Sequence, residues 1–465
     1  MYSIAPIGRV SAASANALLR HRRTHRTWNV VGLFLMRLLR CYWASAMIGA
    51  GLWRRLGWQR KSEQVHPIQT NALANMPDRQ PVVVFCAGTP WTGMAGSDRH
   101  LATALVRYAR ILWVDPPTSF LTRANRYQVA RGIPWPVLSS VLPGLEHLRT
   151  AALPGFTRPG LRLTTPVLVR AQIRWALRQL NVRPAVIVAC SLDDVLTGWG
   201  PNVLKVQYGT DDYVAGAELM GLNRHMLQVR EQRQLANANV VVAVSPTLVD
   251  RWSKMAEKVV LIPNGAQVAF YAHTDTVPPA RDVSLPSPVA GVIGHLSSRI
   301  DVSLLEAVAD AGFSLLLVGS RDPNWETDRF AALVRKERVT WIDRRTPEEL
   351  PGYLRWIDVG LTPYADTPFN RASFPLKTLE YLAAGRPVVS TDLPAARWLN
   401  TDLVSIAKHR SDFVAAVRDA IATSSPEDAQ RRKAFAAQHS WEQRAEAFAR
   451  AIGLDTTRTH GVEAT

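Results

Sequence analysis

The feature that most constrains this fold is a series of short, mostly apolar runs separated by segments with helical periodicity. A strand that is apolar at nearly every position must be buried on both faces, which is typical of a parallel sheet covered by helices. In the first half of the chain the runs are Val82–Cys86, Ile111–Asp115, Ala185–Ala189, Val203–Tyr208 and Asn239–Val244. In the second half they are Val289–Ile293, Phe313–Val318, Val339–Ile342 and Val359–Pro363. The pattern predicts an α/β chain with two Rossmann-like halves.

Length and composition indicate where the halves meet. The 465 residues, 47% of them hydrophobic, can fill two domains with cores of their own. A Pro- and Ser-rich connection, Val277–Pro288, separates the two series of strands and indicates a linker. The predicted division is a basic extension over residues 1–77, a first Rossmann-like domain over 78–275, a second over 276–425, C-terminal helices over 426–452 and a loose tail over 453–465.

The most informative motif runs from Ser373 to Thr391, SFPLKTLEYLAAGRPVVST. Pro375 suits the first position of a helix because its φ is already fixed and it has no N–H to leave unsatisfied. The free N–H groups of the first turn attract phosphate oxygens, Lys377 adds a cation, and Glu380 lies on the same face. Gly385 ends the helix before a buried strand. A diphosphate and a diol can both be held at such a helix.

Two regions of the first half contain candidate site residues. The loop from Ala87 to Asp98 has three glycines but lacks the GxGxxG spacing of a dinucleotide site, so it favours close backbone approach to a substrate. Trp91 and His100 are candidates for contact with a sugar acceptor; the alternatives are a core tryptophan and a surface histidine. The adjacent acids Asp211 and Asp212 follow a strand and are candidate catalytic groups. The alternative is that one of them caps the next helix.

The motif Pro-x-Lys-x-x-Glu-Tyr followed by Ala-x-Gly-x-Pro-Val-Val resembles the donor site of GT-B glycosyltransferases, in particular the family 4-like group 1 enzymes. The resemblance implies that Glu380 binds the ribose hydroxyls of a sugar nucleotide, while Lys377 and the turn from Ser373 face its diphosphate. Gly294 and Arg299 resemble the first loop of the donor half, where they would also meet the diphosphate. Many such enzymes have a second glutamate near the transferred sugar, and this chain has Ala372 at that position.

The resemblance also implies how the chain ends and which cofactors the site needs. A C-terminal helix that begins at Ser440-Trp441 is expected to cross back to the first domain, and the site is expected to use neither a metal nor another cofactor. The acids at 211 and 212 are an Asp-Asp pair rather than the Asp-x-Asp of metal-dependent enzymes, and the three cysteines form no CxxC.

Charge is concentrated at the N-terminus. The chain has a net charge of +17, and residues 1–75 contain eleven Lys and Arg side chains against one acid, Glu63. Arginines interrupt the apolar stretch from Trp28 to Trp58, so a peripheral contact with an anionic membrane is favoured over a spanning helix. A partly disordered extension is the alternative, and nucleic-acid binding is less favoured. The expected location is the cytoplasm, on the inner face of the cell membrane.

Together these observations predict a glycosyltransferase that moves a sugar from a nucleotide-diphosphate sugar to a glycan or lipid-linked acceptor. The similarity to enzymes of bacterial envelope polysaccharides, of the teichuronic-acid type, implies envelope or exopolysaccharide synthesis with retention of anomeric configuration and without a metal. A sugar-nucleotide 2-epimerase of the same architecture and a noncatalytic binding protein on this fold are the alternatives.

Overall fold

The structure is a computed structural model that describes residues 80–457 except 94, 123–135, 157 and 159. The basic N-terminal extension and the last residues of the tail were interpreted from sequence and lie outside the described residues. The described part of the chain is built on two large sheets flanked by helices, one mostly parallel and one entirely parallel.

The first sheet has eight strands in the order β10-β9-β8-β7-β1-β2-β5-β4. All neighbours are parallel except β4 and β5, which form an antiparallel hairpin at one edge. The strands are β1 Val82–Cys86, β2 Arg110–Val114, β4 Val137–Leu142, β5 Leu145–Arg149, β7 Pro184–Ala189, β8 Leu204–Gly209, β9 Val240–Ala243 and β10 Val259–Leu261, and a separate pair joins β3 Thr118–Ser119 to β6 Ala151–Ala152. The five predicted strands are confirmed. The β4–β5 hairpin was missed because β4 is an edge strand with little apolar content.

Every residue of the central strand β1 is buried, because helices cover both faces of this sheet. These helices are α1 Ser97–Leu105, α2 Thr164–Gln179, α3 Arg224–Asn237 and α4 Pro246–Trp252. The next helix, α5 Val268–Ala272, packs instead on the second half, and its Tyr271 is buried in that core. Two of the largest buried side chains, Phe85 and Trp113, stack on one face of the sheet with ring centroids 6.4 Å apart.

The second sheet has six parallel strands in the order β13-β12-β11-β14-β15-β16, the strand order of a Rossmann fold. The strands are β11 Val289–Ile293, β12 Ser314–Val318, β13 Val339–Ile342, β14 Val359–Thr362, β15 Val388–Thr391 and β16 Val404–Ala407. The helices are α6 Val302–Asp310, α7 Thr327–Leu333, α8 Leu350–Leu354, α9 Pro368–Ala372, α10 Leu376–Ala383, α11 Pro394–Trp398 and α12 Arg410–Ala422. A capping box precedes α8, since Glu349 accepts a hydrogen bond from the backbone N–H of Thr346.

Two C-terminal helices complete the chain, α13 Pro426–Ala437 and α14 Trp441–Ala451. The side chain of Ser440 caps α14 by accepting from the backbone N–H of Gln443 at 3.4 Å. Phe448 of α14 is fully buried and its ring lies 6.1 Å from Phe85 and 5.8 Å from Tyr208. The predicted return of this helix to the first sheet is therefore confirmed.

Candidate active site

The donor motif forms the expected loop, helix and strand, but Pro375 lies directly before the helix rather than at its first position. Helix α10 begins at Leu376, and Pro375 precedes it with φ −83° and ψ 65°. The backbone N–H of Leu376 donates to the carbonyl of Phe374 at 2.9 Å, so Pro375 is the centre of an inverse γ-turn. This turn redirects the chain into the helix, because a helical ψ at Pro375 would continue the helix into the preceding loop.

Lys377 and Glu380 form an ion pair on the first turn of α10, with the Lys377 Nζ and Glu380 Oε2 atoms 2.7 Å apart. Burial alone would lower the pKa of Lys377, but the adjacent carboxylate outweighs that effect and holds the pKa above its usual value. Burial, followed by the charge of Glu380, raises the pKa of the Tyr271 phenol far above its usual range, so Tyr271 is neutral. The helix start therefore presents a permanent cation beside a carboxylate and a phenol.

The loop after β11 comes close to this helix because two glycines allow it. Gly294 has φ +147°, and a β-carbon on it would lie 3.5 Å from the Cε of Lys377. Gly319, at the end of β12, has φ +143°, and a β-carbon there would lie 2.0 Å from the carbonyl oxygen of Gly294. Only glycine fits at position 319 without displacing the loop, so Gly319 sets the position of Gly294.

Arg299 is held at the far end of the same loop by a buried amide. Its Nε donates to the Oδ1 of Asn370 at 3.0 Å, and the Nδ2 of Asn370 donates back to the Arg299 carbonyl at 2.9 Å. The guanidinium lies over the rings of Tyr364 and Phe369, 5.4 and 4.9 Å from their centres. These contacts fix the Arg299 side chain and leave its two terminal nitrogens without a hydrogen bond to any described residue.

Gly294, Arg299 and Lys377 line one cavity of about 220 Å³ at the carboxyl ends of β11 and β14. Glu380 adjoins it through its ion pair with Lys377. Ser373 lies beside it in a smaller recess that shares Arg299 and Phe374 with the cavity. Its Oγ donates to the carbonyl of Phe369 at 2.8 Å, which engages that hydroxyl at the end of α9. The five predicted donor residues are thus neighbours, although they come from segments more than 70 residues apart.

The two adjacent acids of the first half have different environments. Asp212 is buried, accepts from the backbone N–H of Ala215 at 2.8 Å and pairs with Arg251, so it caps the turn that follows β8. Asp211 is partly buried, and burial raises its pKa to about 6 while the positive charge of Arg299 limits the rise. Asp211 is therefore the acid that faces the donor half.

The aromatic candidates Trp91 and His100 lie away from that cavity. Trp91 packs edge-on against Trp113, with ring centroids 5.2 Å apart, and carries the guanidinium of Arg99 over its face at 4.5 Å. His100 stacks on Trp441 of α14 at 5.5 Å. Burial and then Arg99 lower the pKa of His100 to about 4, so it is neutral near pH 7. Both rings are held by protein side chains, and the structure does not bring them together with Asp211.

Sequence reasoning missed three residues of this site: Asn370, Gly319 and Tyr271. Asn370 is 2% exposed and also donates to the carbonyl of Ala365 at 2.8 Å, so all its hydrogen-bonding groups are engaged. No local spacing relates Asn370 to Arg299, since 71 residues separate them. Gly319 did have a signal, because a glycine directly after an apolar strand often marks a close backbone approach.

Two kinds of feature are missing from the part of the chain that the structure describes. Within residues 80–457, gaps excluded, no group of three or more His, Cys, Asp or Glu side chains is arranged to hold a metal ion. The described helices are also too short or too polar for any of them to span a bilayer.

The two facing Rossmann-like halves and the returning C-terminal helix define a GT-B protein, and solved structures support that fold. The chain superposes on sucrose-phosphate synthase from Thermosynechococcus elongatus with a TM-score of 0.61 and 18% identity, covering 80% of this chain and 98% of that one. It superposes on Anabaena HepE in complex with UDP with a TM-score of 0.53 and 15% identity, covering 81% of this chain and 100% of that one.

Residues 290–423 match the family model described as Glycosyl transferases group 1. Over 211 residues the chain is 30% identical to TuaH of Bacillus subtilis (strain 168), named as a teichuronic acid biosynthesis glycosyltransferase. The match covers 43% of this chain and 52% of TuaH, so the chain spans about half the length of that relative.

Proposed function

We propose that this protein transfers a sugar from a nucleotide-diphosphate sugar to a glycan or lipid-linked acceptor in envelope or exopolysaccharide synthesis. The observation that carries the proposal is the cavity lined by Gly294, Arg299 and Lys377 beside the carboxylate of Glu380. Two cations and a helix N-terminus can hold a diphosphate, and a carboxylate nearby can accept hydrogen bonds from a ribose diol. The match of residues 290–423 to the group 1 family model supports the same donor class.

In this proposal the two cations act on the leaving group. Negative charge grows on the diphosphate as the glycosidic bond breaks, and Arg299 and Lys377 stabilise that charge in a partly enclosed site. Asn370 keeps Arg299 oriented toward the cavity, so the stabilising charge is in place before the reaction. Ser373 contributes through its position at the end of α9 rather than through its hydroxyl, which is already engaged.

The acceptor is proposed to bind against the first half, at Asp211. A carboxylate whose pKa is raised to about 6 is mostly ionised near pH 7 and can accept a proton from an acceptor hydroxyl or stabilise developing positive charge on the sugar. Asp212 then supports the loop through its cap and its pair with Arg251. Trp91 and His100 remain proposals for more distant contacts with a long acceptor.

Stereochemistry and metal dependence are also part of the proposal. Transfer without a metal is consistent with a site whose positive charge comes from side chains and a helix terminus. Retention of configuration is proposed from the resemblance to family 4-like enzymes. Product analysis by NMR tests the configuration, and it also separates transfer from 2-epimerisation, which would release an altered nucleotide sugar without an acceptor. Activity that disappears with EDTA and returns with manganese would contradict metal independence.

The donor assignment is tested by replacing Glu380 with Gln. Loss of the charge-assisted hydrogen bonds to the ribose should weaken nucleotide binding by roughly 1.5–3 kcal/mol, measured by calorimetric titration with UDP, GDP and dTDP. The matched control is Glu446→Gln, which removes another carboxylate that is ion-paired along a helix, at a distance from the cavity. Equal affinity of Glu380→Gln and the unmodified protein for the nucleotide that binds would remove the assignment.

A further inference from the structure

Six apolar side chains of the first half are exposed on the segments that flank α2 and α3. Leu163 and Val167 lie at the start of α2, and Leu163 is 69% exposed. The others follow β8 and continue into α3, and they are Leu219, Met220, Leu222 and Val229. Single exposed hydrophobic residues are ordinary, but a group of them on one surface indicates a contact with a partner or a membrane.

A contact between Arg162 and Met226 places the two segments that carry these side chains next to each other. The Nη1 of Arg162, next to Leu163, lies 3.6 Å from the Sδ of Met226, which is in the first turn of α3. Leu222 precedes that turn, and Asn223 caps it by accepting from the backbone N–H of Met226 at 2.9 Å. We call this surface, formed by Leu163, Val167, Leu219, Met220, Leu222 and Val229, the apolar patch.

The charge around the apolar patch is strongly positive. Residues 158–183 contain six arginines and no acid. Of the acids near this surface, Asp193 pairs with Arg230 and Asp194 with Arg170. Glu218, next to Leu219, is exposed and is the acid on the patch that pairs with no described residue.

Of the six arginines in residues 158–183, only Arg170 forms an ion pair with a described residue. Arg158 and Arg162, which precede α2 together with Leu163, form none, and neither does Arg224 beside Leu222. Apolar side chains rimmed by unpaired arginines complement an anionic lipid surface, with the apolar groups at the headgroup boundary and the arginines on lipid phosphates.

The apolar patch also lies beside the reaction cleft. Leu219, the first patch residue after β8, lies seven residues after Asp212 in the chain. Between them, a β-carbon at Gly216 would lie 2.8 Å from the ring of Phe369, and that ring carries the guanidinium of Arg299. A bilayer against the patch would therefore bring a membrane-held hydroxyl to the mouth of the cleft.

We propose that the apolar patch docks the first half of this protein on an anionic bilayer, independently of the basic N-terminal extension. The proposal rests on the proposed function for its purpose, the use of a membrane-held acceptor, and it is tested by a measurement that does not require transfer. The proposed partner of the apolar patch is thus a lipid bilayer rather than a second protein.

Hydrogen–deuterium exchange of the full chain locates the contact. With vesicles of phosphatidylglycerol, amides in residues 160–168 and 218–230 should exchange more slowly than in buffer, while residues 255–261 should not change. Vesicles of phosphatidylcholine should give no protection. Sedimentation of the chain with anionic vesicles without protection of these two segments would overturn the proposal, because the N-terminal extension would then account for all binding.

Substitutions test the same surface without changing the donor site. Arg158→Gln and Arg162→Gln should each lower the partition onto anionic vesicles by about fivefold, from about 1 kcal/mol for each basic residue near the surface. Leu163→Gln with Leu222→Gln should abolish protection of the patch, whereas the control pair Met255→Gln with Leu261→Gln, also exposed apolar residues, should not. A concentration-dependent dimer in light scattering, lost in Leu163→Gln with Leu222→Gln, would identify a second copy as the occupant and refute the bilayer.

Nucleotide titration of each variant separates this proposal from the proposed function. Variants of the apolar patch should bind the cognate nucleotide as tightly as the unmodified protein does. Failure of the unmodified protein to bind any nucleotide would refute the donor assignment and leave the vesicle result unaffected.

Discussion

Replacing Asp211 with Asn should stabilise the protein near neutral pH and reduce its activity. Burial raises the pKa of Asp211 from 3.8 to about 6, so the folded state holds this proton more tightly than the unfolded chain does. Stability is therefore lost as the pH rises from about 4 through 6, and keeping the charge costs at most roughly 3 kcal/mol above that range. Because Asp211 is only partly buried, the expected gain in Asp211→Asn at pH 7.5 is about 1–3 kcal/mol.

The assay is thermal denaturation of Asp211→Asn and the unmodified protein at about pH 7.5 and pH 4.5. The melting temperature should rise at the higher pH, and the gain should shrink at the lower pH, where Asp211 of the folded protein is protonated and no longer buries a charge. The control is its neighbour, Asp212→Asn, which should destabilise by roughly 1–3 kcal/mol because it weakens a buried pair with Arg251.

Activity measurements distinguish a catalytic carboxylate from one that is only destabilised by burial. If the ionised form of Asp211 acts on the acceptor or the sugar, kcat/KM should fall below about pH 6, and Asp211→Asn should lose about 10²-fold or more. A variant that is less stable at about pH 7.5, or whose gain is the same at both pH values, would refute the electrostatic reasoning.

Lys377→Ala should lower kcat by about 10- to 100-fold and raise KM in steady-state assays, because the lysine acts on charge that grows in the transition state. The control, Lys336→Ala, removes an exposed pair with Asp310 and should change neither constant. Gly319→Ala should lower the free energy of unfolding by about 3 kcal/mol or more and weaken nucleotide binding. The control, Gly312→Ala, should lower the free energy of unfolding by only about 1 kcal/mol, because Gly312 has φ +87° but no atom near the position of a β-carbon. Deleting residues 1–75 should leave nucleotide affinity unchanged in titration but reduce sedimentation with anionic liposomes, as expected for a basic segment.

Local sequence was sufficient for elements whose signals are themselves local. An apolar run such as Val289–Ile293 can only be stable as a buried strand, and the structure has that strand with the same bounds. The donor helix was equally predictable, because Lys377 and Glu380 are three residues apart and any helix places them on one face. The error at Pro375 was a matter of one residue, since a proline suits both the first helical position and a tight turn before it.

The roles of the two adjacent acids could not be separated in this way. Asp211 and Asp212 have the same side chain, and the sequence gives either of them a capping or a catalytic role. The structure distinguishes them because Arg251, which pairs with Asp212, comes from helix α4, and Arg299, which acts on Asp211, comes from the other half of the chain. Burial and charge at these positions depend on contacts across many residues.

The sequence by itself determined the α/β class, the donor helix and the residues available to hold a diphosphate and a ribose. Only the tertiary structure decided which groups surround them: Asn370 behind Arg299, Gly319 beneath Gly294, and Trp441 against His100. It also brought Leu163 and Leu222 onto the apolar patch. The physical reason is that periodicity and helix termini act within a few residues, whereas burial, hydrogen bonding and pKa depend on neighbours that the fold brings from distant parts of the chain.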